Sequence, residues 1–253
     1  MLIFHESNKR MIELSEQIKK VAKFNVPCLI TGETGTGKTL IAEKIHNLSP
    51  RKDESFISIN CGGIPDSLLE AELFGYSKGA FTGAVNTRKG IIRSAHKGTV
   101  FLDEIGTMPF SVQSKLLTFL DNKQIRPLGS EKVYDVDVRI LTATNTNLKK
   151  ALEERMFRED LYHRINVVNV ETIPLRYNKI DLNLLCDFFL KEINKELGTN
   201  VRYIHPSVFK IFYNYDFAGN VRELKNILYN AIITHSFISK NKSRFIINIT
   251  RYS

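Results

Sequence analysis

The sequence predicts an α/β fold: a mostly parallel five-stranded sheet flanked by helices, followed by a small all-helical C-terminal domain. Three observations predict it. Short apolar runs alternate with amphipathic stretches through the first two thirds of the chain, the pattern of βαβ units. From Asp181 onward apolar residues recur at helical spacing, with no convincing strand. The composition, 43% hydrophobic and 25% charged over 253 residues, suits one large domain or one large plus one small.

The elements follow in order. Residues 6–23 carry Met11, Ile12, Leu14, Ile18, Val21 and Ala22 in a helical stripe. "VPCLITG" is an apolar run ending in glycine and reads as a buried strand, with a helix over 40–48 behind it. "SFISIN" alternates, and "CGGIP" breaks it. "IPDSLLEAELF" reads as a helix opening at Pro65, where a first-turn proline is tolerated. "KGTVFLDEI" is a strand, "PFSVQSKLLTFLDN" a helix from near Pro109, and "DVDVRILTATN" and "NVVNVETI" are further strands. The pattern changes near Pro174, which divides the chain into a domain over 1–173 and one over 174–253. In the second, helices are expected over roughly 181–197, 206–214 and 219–237.

Several function classes drop out early. No apolar run is long enough to span a bilayer, and no signal-peptide pattern opens the chain, so a cytoplasmic setting is expected. Cys28, Cys61 and Cys186 lack CxxC spacing, and the six histidines lack metal-ligand spacing, which disfavours a disulfide framework or a zinc site. The net charge of +9 suits a polyanionic partner such as a nucleotide or nucleic acid. It equally suits scattered lysines on solvated helices, since no long basic run occurs.

The chemistry begins after the first strand. Gly32-Glu33-Thr34-Gly35-Thr36-Gly37-Lys38-Thr39 is G-x-x-x-x-G-K-[ST] between a strand and a helix. Glycines let successive N–H groups turn toward an anion, and the helix start adds its positive dipole end. Lys38 would reach the β- and γ-phosphates of ATP, and the Thr39 hydroxyl would ligate Mg²⁺. "TVFLDEIG" sets Asp103 and Glu104 at the carboxyl end of a strand, the edge where open parallel sheets bind ligands. There Asp103 would hold Mg²⁺ and Glu104 would polarise a water. Thr144 and Asn145 end the next strand, where they would bond the γ-phosphate or the water, or simply cap the strand. Arg158 and Arg164 in "FREDLYHRINV" do not share one helical face. From composition they read first as surface partners of Glu159 or Asp160, although a guanidinium also suits a transferring phosphoryl group.

"ELFGYSKGAFTGA" poses a different question, an exposed Phe81 on a glycine-hinged loop. With "GTVFLDEIG", "FREDLYHRINV", "GNVRELKN" and the phosphate loop, in this order, it resembles the AAA+ domain of sigma-54-dependent transcription activators, the NtrC-like bacterial enhancer-binding proteins. The resemblance covers nearly the whole chain, to about Ser236. It implies a P-loop AAA+ fold with a helical lid, and a Walker A loop over 32–39. Asp103 and Glu104 would form Walker B, and Asn60 would restrain Glu104 and sense the γ-phosphate. Thr144 and Asn145 would be sensor I, and Arg222 sensor II. Arg158 and Arg164 would be arginine fingers acting on a neighbouring subunit's nucleotide. Gly79, Ala80, Phe81, Thr82, Gly83 and Ala84 would form the mobile loop that touches sigma-54, supported by a second loop around 124–134.

The resemblance further implies a ring, a hexamer, that hydrolyses ATP with Mg²⁺ to convert the closed promoter complex of sigma-54 RNA polymerase into the open one. ATP would lie between the α/β domain and the lid. Promoter DNA would be met indirectly or through segments outside this chain, because "SKNKSRFIINITRYS" is too short for a helix-turn-helix; no receiver or ligand-sensing domain is read here either, which leaves an excised central domain or a protein regulated and recruited by other means. The departures are Thr39 where the family has glutamate, Ala218 for a proline, and Asn178 for an arginine. The last two imply a less rigid approach to the final helix and a weakened contact. Two other readings are an AAA+ ATPase acting on DNA or another protein, and a non-catalytic scaffold switched by nucleotide occupancy.

Overall fold

The computed structural model describes residues 4–236. Residue 237, the expected end of the last helix, and the tail read as too short for a helix-turn-helix lie outside them. The chain divides into two compact units. The sheet unit comprises Glu16–Thr31 and Lys38–Glu171. Among the described residues, the helical unit comprises 4–15, 32–37 and 172–236.

The five expected strands form the sheet unit's parallel sheet. They are β1 (Cys28–Thr31), β2 (Phe56–Asn60), β3 (Thr99–Asp103), β4 (Arg139–Thr144) and β5 (Val168–Glu171), in the order β2-β3-β4-β1-β5. Sequence pattern follows position. Inner strand β4 is buried at every residue and β3 at all but its last, whereas edge strands β2 and β5 mix buried with exposed residues. The core joins Leu29, Val100, Leu102, Ile140, Leu116, Phe119 and Leu161. Helices α1 (Lys9–Ala22), α2 (Lys38–Asn47), α3 (Asp66–Phe74), α4 (Phe110–Asn122) and α5 (Glu159–Ile165) accompany the sheet. The charged Arg139 is nonetheless buried in β4. Its guanidinium donates to the carbonyls of Val21 (2.9 Å) and Ala22 (3.2 Å), so a cation caps the last turn of α1.

In the helical unit α6 (Leu182–Leu197), α7 (Pro206–Asn214) and α8 (Asn220–Ser236) pack a core of their own around Leu185, Phe189, Ile193, Phe212, Phe217 and Leu228. The two departures have local explanations here. Asn178 is buried and donates to Asp181 Oδ2 (2.7 Å), as does Asn8 (2.7 Å), while the His5 N–H donates to Oδ1 (2.6 Å). This network ties the N-terminal segment to the turn before α6. Beside Ala218, Phe217 is fully buried with φ 49°, its ring edge-on to Phe212 and Tyr215. Glu223 accepts from the Gly219 N–H (2.8 Å) and the Tyr215 hydroxyl (2.6 Å). Side-chain anchoring thus fixes the approach to α8 without a proline. Among the described residues no helix is long and apolar enough to cross a membrane.

Candidate functional site

Parallel register puts the strands' carboxyl ends on one edge of the sheet unit. Asn60 stands opposite Asp103 across β2 and β3, and Thr31 opposite Thr144 across β1 and β4. At the start of α2, Lys38 is buried and Thr39 exposed; the Thr39 hydroxyl lies 3.4 Å from Asp103 Oδ2. Asp103 Oδ1 accepts the Glu104 N–H at 2.9 Å. Glu104 adopts a left-handed backbone, φ 54° and ψ 42°, a conformation that costs a non-glycine residue about 1 kcal/mol or more.

One expected contact is not made among the described residues. Asn60 spends its side-chain carbonyl on the N–H groups of Gly62 (2.8 Å) and Gly63 (3.1 Å), and among the described residues it does not hydrogen-bond Glu104. Glu104 is approached instead by Gly62, where a Cβ would lie 2.4 Å from Oε2. Thr144 is buried and accepts the Thr146 N–H at 2.9 Å, the strand-end capping role. Asn145 follows it, exposed.

Thr39 and Asp103 are residues of the kind that could hold Mg²⁺. A hydroxyl and a carboxylate converge at a sheet edge, the hard-oxygen donors this ion takes while keeping waters and phosphate oxygens for the rest of its shell. Among the described residues no cluster of three or more His, Cys, Asp and Glu side chains could hold a metal without such help.

The glycine arc Gly32–Gly37 belongs to the helical unit. Gly32, Gly35 and Gly37 all have positive φ, at 145°, 78° and 93°. The Thr36 hydroxyl donates to the Glu33 carbonyl (2.8 Å) and shares a hydrogen bond with Thr172 (2.7 Å). The Glu33 carboxylate forks onto Arg176, with Nη1 2.6 Å from Oε2 and Nη2 on Oε1. Asn220 Nδ2 donates to Glu33 Oε2 (3.1 Å) and to the Thr34 carbonyl (3.0 Å), and the Val221 N–H donates to the Gly35 carbonyl (3.1 Å). A Cβ on Gly35 would fall 2.1 Å from the Gly219 carbonyl and 3.1 Å from Arg222 Cβ. Arg222 is exposed, with no hydrogen-bond or ion-pair partner among the described residues. Arg176 and Asn220 escaped the sequence reading, because nothing local in "PLR" or "GN" announces a bond to residue 33.

The arginines of "FREDLYHRINV" are both paired within the chain. Arg158, just before α5, forks onto Asp160 (3.0 and 2.7 Å) and donates to the Ser114 hydroxyl (3.1 Å). Those bonds raise its pKa and lower that of Asp160. Arg164 pairs with Asp121 at 2.8 Å.

The 79–84 loop is a tight turn on a short stem, the ladder of Gly75–Tyr76 with Arg88–Lys89. The Gly79 N–H donates to the Ala84 carbonyl (2.9 Å) and the Ala84 N–H to that of Phe81 (3.0 Å). Gly79 (φ 83°) and Gly83 (φ 98°) would meet nothing within 4 Å if given a Cβ, so conformation alone asks for glycine there. Phe81 is neither free nor tucked into a core. It is 42% exposed, with its ring edge-on to Tyr76 at 4.9 Å, while Thr82 is exposed and Ala84 buried. The second loop abuts this one. The Ser77 N–H donates to the Leu128 carbonyl (2.9 Å), and a Cβ on Gly129 would lie 2.8 Å from that of Ala80.

Comparison with known proteins adds an independent finding. Residues 4–171 match the family described as Sigma-54 interaction domain, and residues 176–241 the AAA+ ATPase lid domain. The chain is 45% identical over 220 residues to the sigma54-dependent transcriptional regulator SfnR of Pseudomonas fluorescens, covering 87% of this chain and 60% of that one. It is 44% identical over 226 residues to the DNA-binding transcriptional activator HyfR of Escherichia coli, covering 89% and 34%. The crystal structure of NtrX from Brucella abortus in complex with ATP superposes with a TM-score of 0.89 at 32% identity, covering 99% of this chain and 53% of that one. The chain thus spans about a third to three fifths of the length of these relatives.

Proposed function

The chain belongs to the sigma-54 interaction domain family with an AAA+ ATPase lid, and from that premise we propose that it hydrolyses ATP and uses the cleavage to remodel sigma-54 RNA polymerase. The observation that carries the catalytic reading is the approach of Thr39 to Asp103 at 3.4 Å, with Glu104 beside them in a strained backbone. The chain's likeness to NtrX, a protein crystallised with ATP, supports nucleotide binding by the same segment.

Each residue then has a task. Residues 32–37 turn backbone N–H groups toward the phosphates, and Lys38 adds a point charge. Thr39 and Asp103 would hold Mg²⁺, which would supply charge neutralisation for the phosphates. Glu104 accepts a proton from the attacking water. Asn60, Asn145 and Arg222 report the state of the γ-phosphate, Asn60 once its amide swings from its own loop. Arg158 and Arg164 exchange Asp160 and Asp121 for a neighbouring subunit's nucleotide, which requires a closed ring, a hexamer by likeness to the family. Residues 79–84 press Phe81 and Thr82 on sigma-54 and drive the closed promoter complex open, with promoter DNA engaged indirectly. Domains over 1–173 and 174–253 divide the nucleotide and lid roles, and a polymerase partner implies work in the cytoplasm.

The test is Glu104→Ala. ATP affinity should stay near parental while turnover falls by about 10²- to 10⁴-fold, and the bound variant should still capture sigma-54 but open no promoter. Phosphate release at the parental rate would remove Glu104 from the mechanism.

A further inference from the structure

We propose that Arg176 is a positioning residue of the phosphate loop, acting on nucleotide through Glu33 and not by touching it. The proposal rests on reading residues 32–39 as the phosphate cradle. An arc with three glycines at positive φ has many conformations open to it, and fixing it on binding costs entropy unless the protein holds it beforehand. Here the helical unit holds it at three points: Arg176 on Glu33, Asn220 on Glu33 and Thr34, and the Val221 N–H on Gly35. Asn220 is itself buried and anchored by the Leu175 N–H at 2.8 Å, so the clasp is backed by core.

Charge gives the pair a second task. Glu33 puts a carboxylate into a loop whose ligand is a polyanion, and like charges at close range repel. The Arg176 fork cancels that charge where it stands. The guanidinium is committed to Glu33 by a bidentate fork and lies over the Tyr177 ring at 4.7 Å. Arg222, by contrast, has no partner among the described residues and starts 3.1 Å from where a Gly35 side chain would begin. The two arginines divide the work: Arg222 meets ligand, and Arg176 shapes and neutralises the loop.

The measurement is titration of the 253-residue chain with a fluorescent ribose-labelled ADP. Arg176→Gln should weaken binding by about tenfold, because it strands the Glu33 carboxylate beside the phosphates. Removing both charges, in Glu33→Gln with Arg176→Gln, should bring affinity back to within about threefold of the parent. Equal losses in the single and double variants would mean that the uncompensated Glu33 carboxylate is not what weakens binding and would overturn the proposal, as would an unchanged single variant. Should Arg176→Gln fail to fold, the double variant is compared with Glu33→Gln alone. With residue 33 neutral, loss of Arg176 should cost under about threefold, and a larger loss overturns the proposal. A parent that binds no labelled ADP sinks the cradle reading; a parent that binds, with variants that break this pattern, sinks only the role of Arg176.

Discussion

Glu104 shows how little space separates one placement of a carboxylate from another. Its left-handed backbone is held between the end of β3 and the turn that follows, and Gly62 leaves the room its side chain occupies. Gly62 is exposed and has no positive φ, so alanine suits its backbone, yet the new Cβ would press on Glu104 Oε2. Gly62→Ala should therefore lower ATP turnover by about 10- to 100-fold, the usual consequence of a misplacement near 1 Å, with a melting temperature close to parental. Equal kcat in both proteins would show that the contact is slack. Glu33 makes a prediction in pH. Its carboxyl is held down at about 2, against an ordinary 4.5, by the hydrogen bonds from Arg176 first and Asn220 second. A lowered folded-state pKa means stability that is whole above the ordinary value and lost as pH falls through about 2. In acid unfolding, the stability gap between the parent and Glu33→Gln should stay constant above pH 4.5 and close toward pH 2. A gap that narrows only above that range would contradict the pairing. The glycine arc between β1 and α2 was legible from its spacing. The partners of Glu33 were not, because they lie 143 and 187 positions away and no periodicity links them.

At the scale of elements, the contact between the 79–84 turn and the second loop is the feature most open to test. Gly129, at φ 67°, sits against Ala80 with no space for a side chain. Gly129→Val should cost the sheet unit about 1–3 kcal/mol through local overpacking and should force the two loops apart. ATP turnover is expected to stay near parental while promoter opening with sigma-54 polymerase is lost. Retained opening would mean that the second loop does not support the first. The main strands were readable because inner strands are continuous apolar runs, and the three C-terminal helices because their apolar residues repeat at helical spacing. The two-residue ladders at Gly75–Tyr76 with Arg88–Lys89 and at Gln124–Ile125 with Tyr134–Asp135 were not. Two residues carry no period, and their pairing is decided by what packs around them. Helix α5 is hard to see for a related reason: seven residues bury only Leu161 and Ile165.

For the molecule as a whole, the arginines decide whether one chain suffices. Arg158 and Arg164 each face an acid of their own chain, Arg158 the expected Asp160 but Arg164 Asp121 in place of Glu159 or Asp160. Exposed pairs of this kind are worth about 0–1 kcal/mol, so a polyphosphate competes for either guanidinium at little cost. If they act across a subunit boundary, Arg158→Ala should lose about 10³-fold in turnover, and mixing it with Lys38→Ala should restore part of it. Each variant supplies what the other lacks only where two chains share a nucleotide. Inert mixtures would place the arginine's work within its own chain. Family membership came from motif order over almost the entire length, a signal no single motif carries.

The burial of all three cysteines has a practical corollary. Cys28, Cys61 and Cys186 are buried, and burial pushes each thiol up to about 12. Near neutrality they remain protonated and shielded, and alkylating reagents attack thiolates. The native background is chemically silent, so a cysteine set at the exposed turn tip would take a fluorophore or spin label by itself, and the turn could be followed as nucleotide is added with every native sulfur left in place.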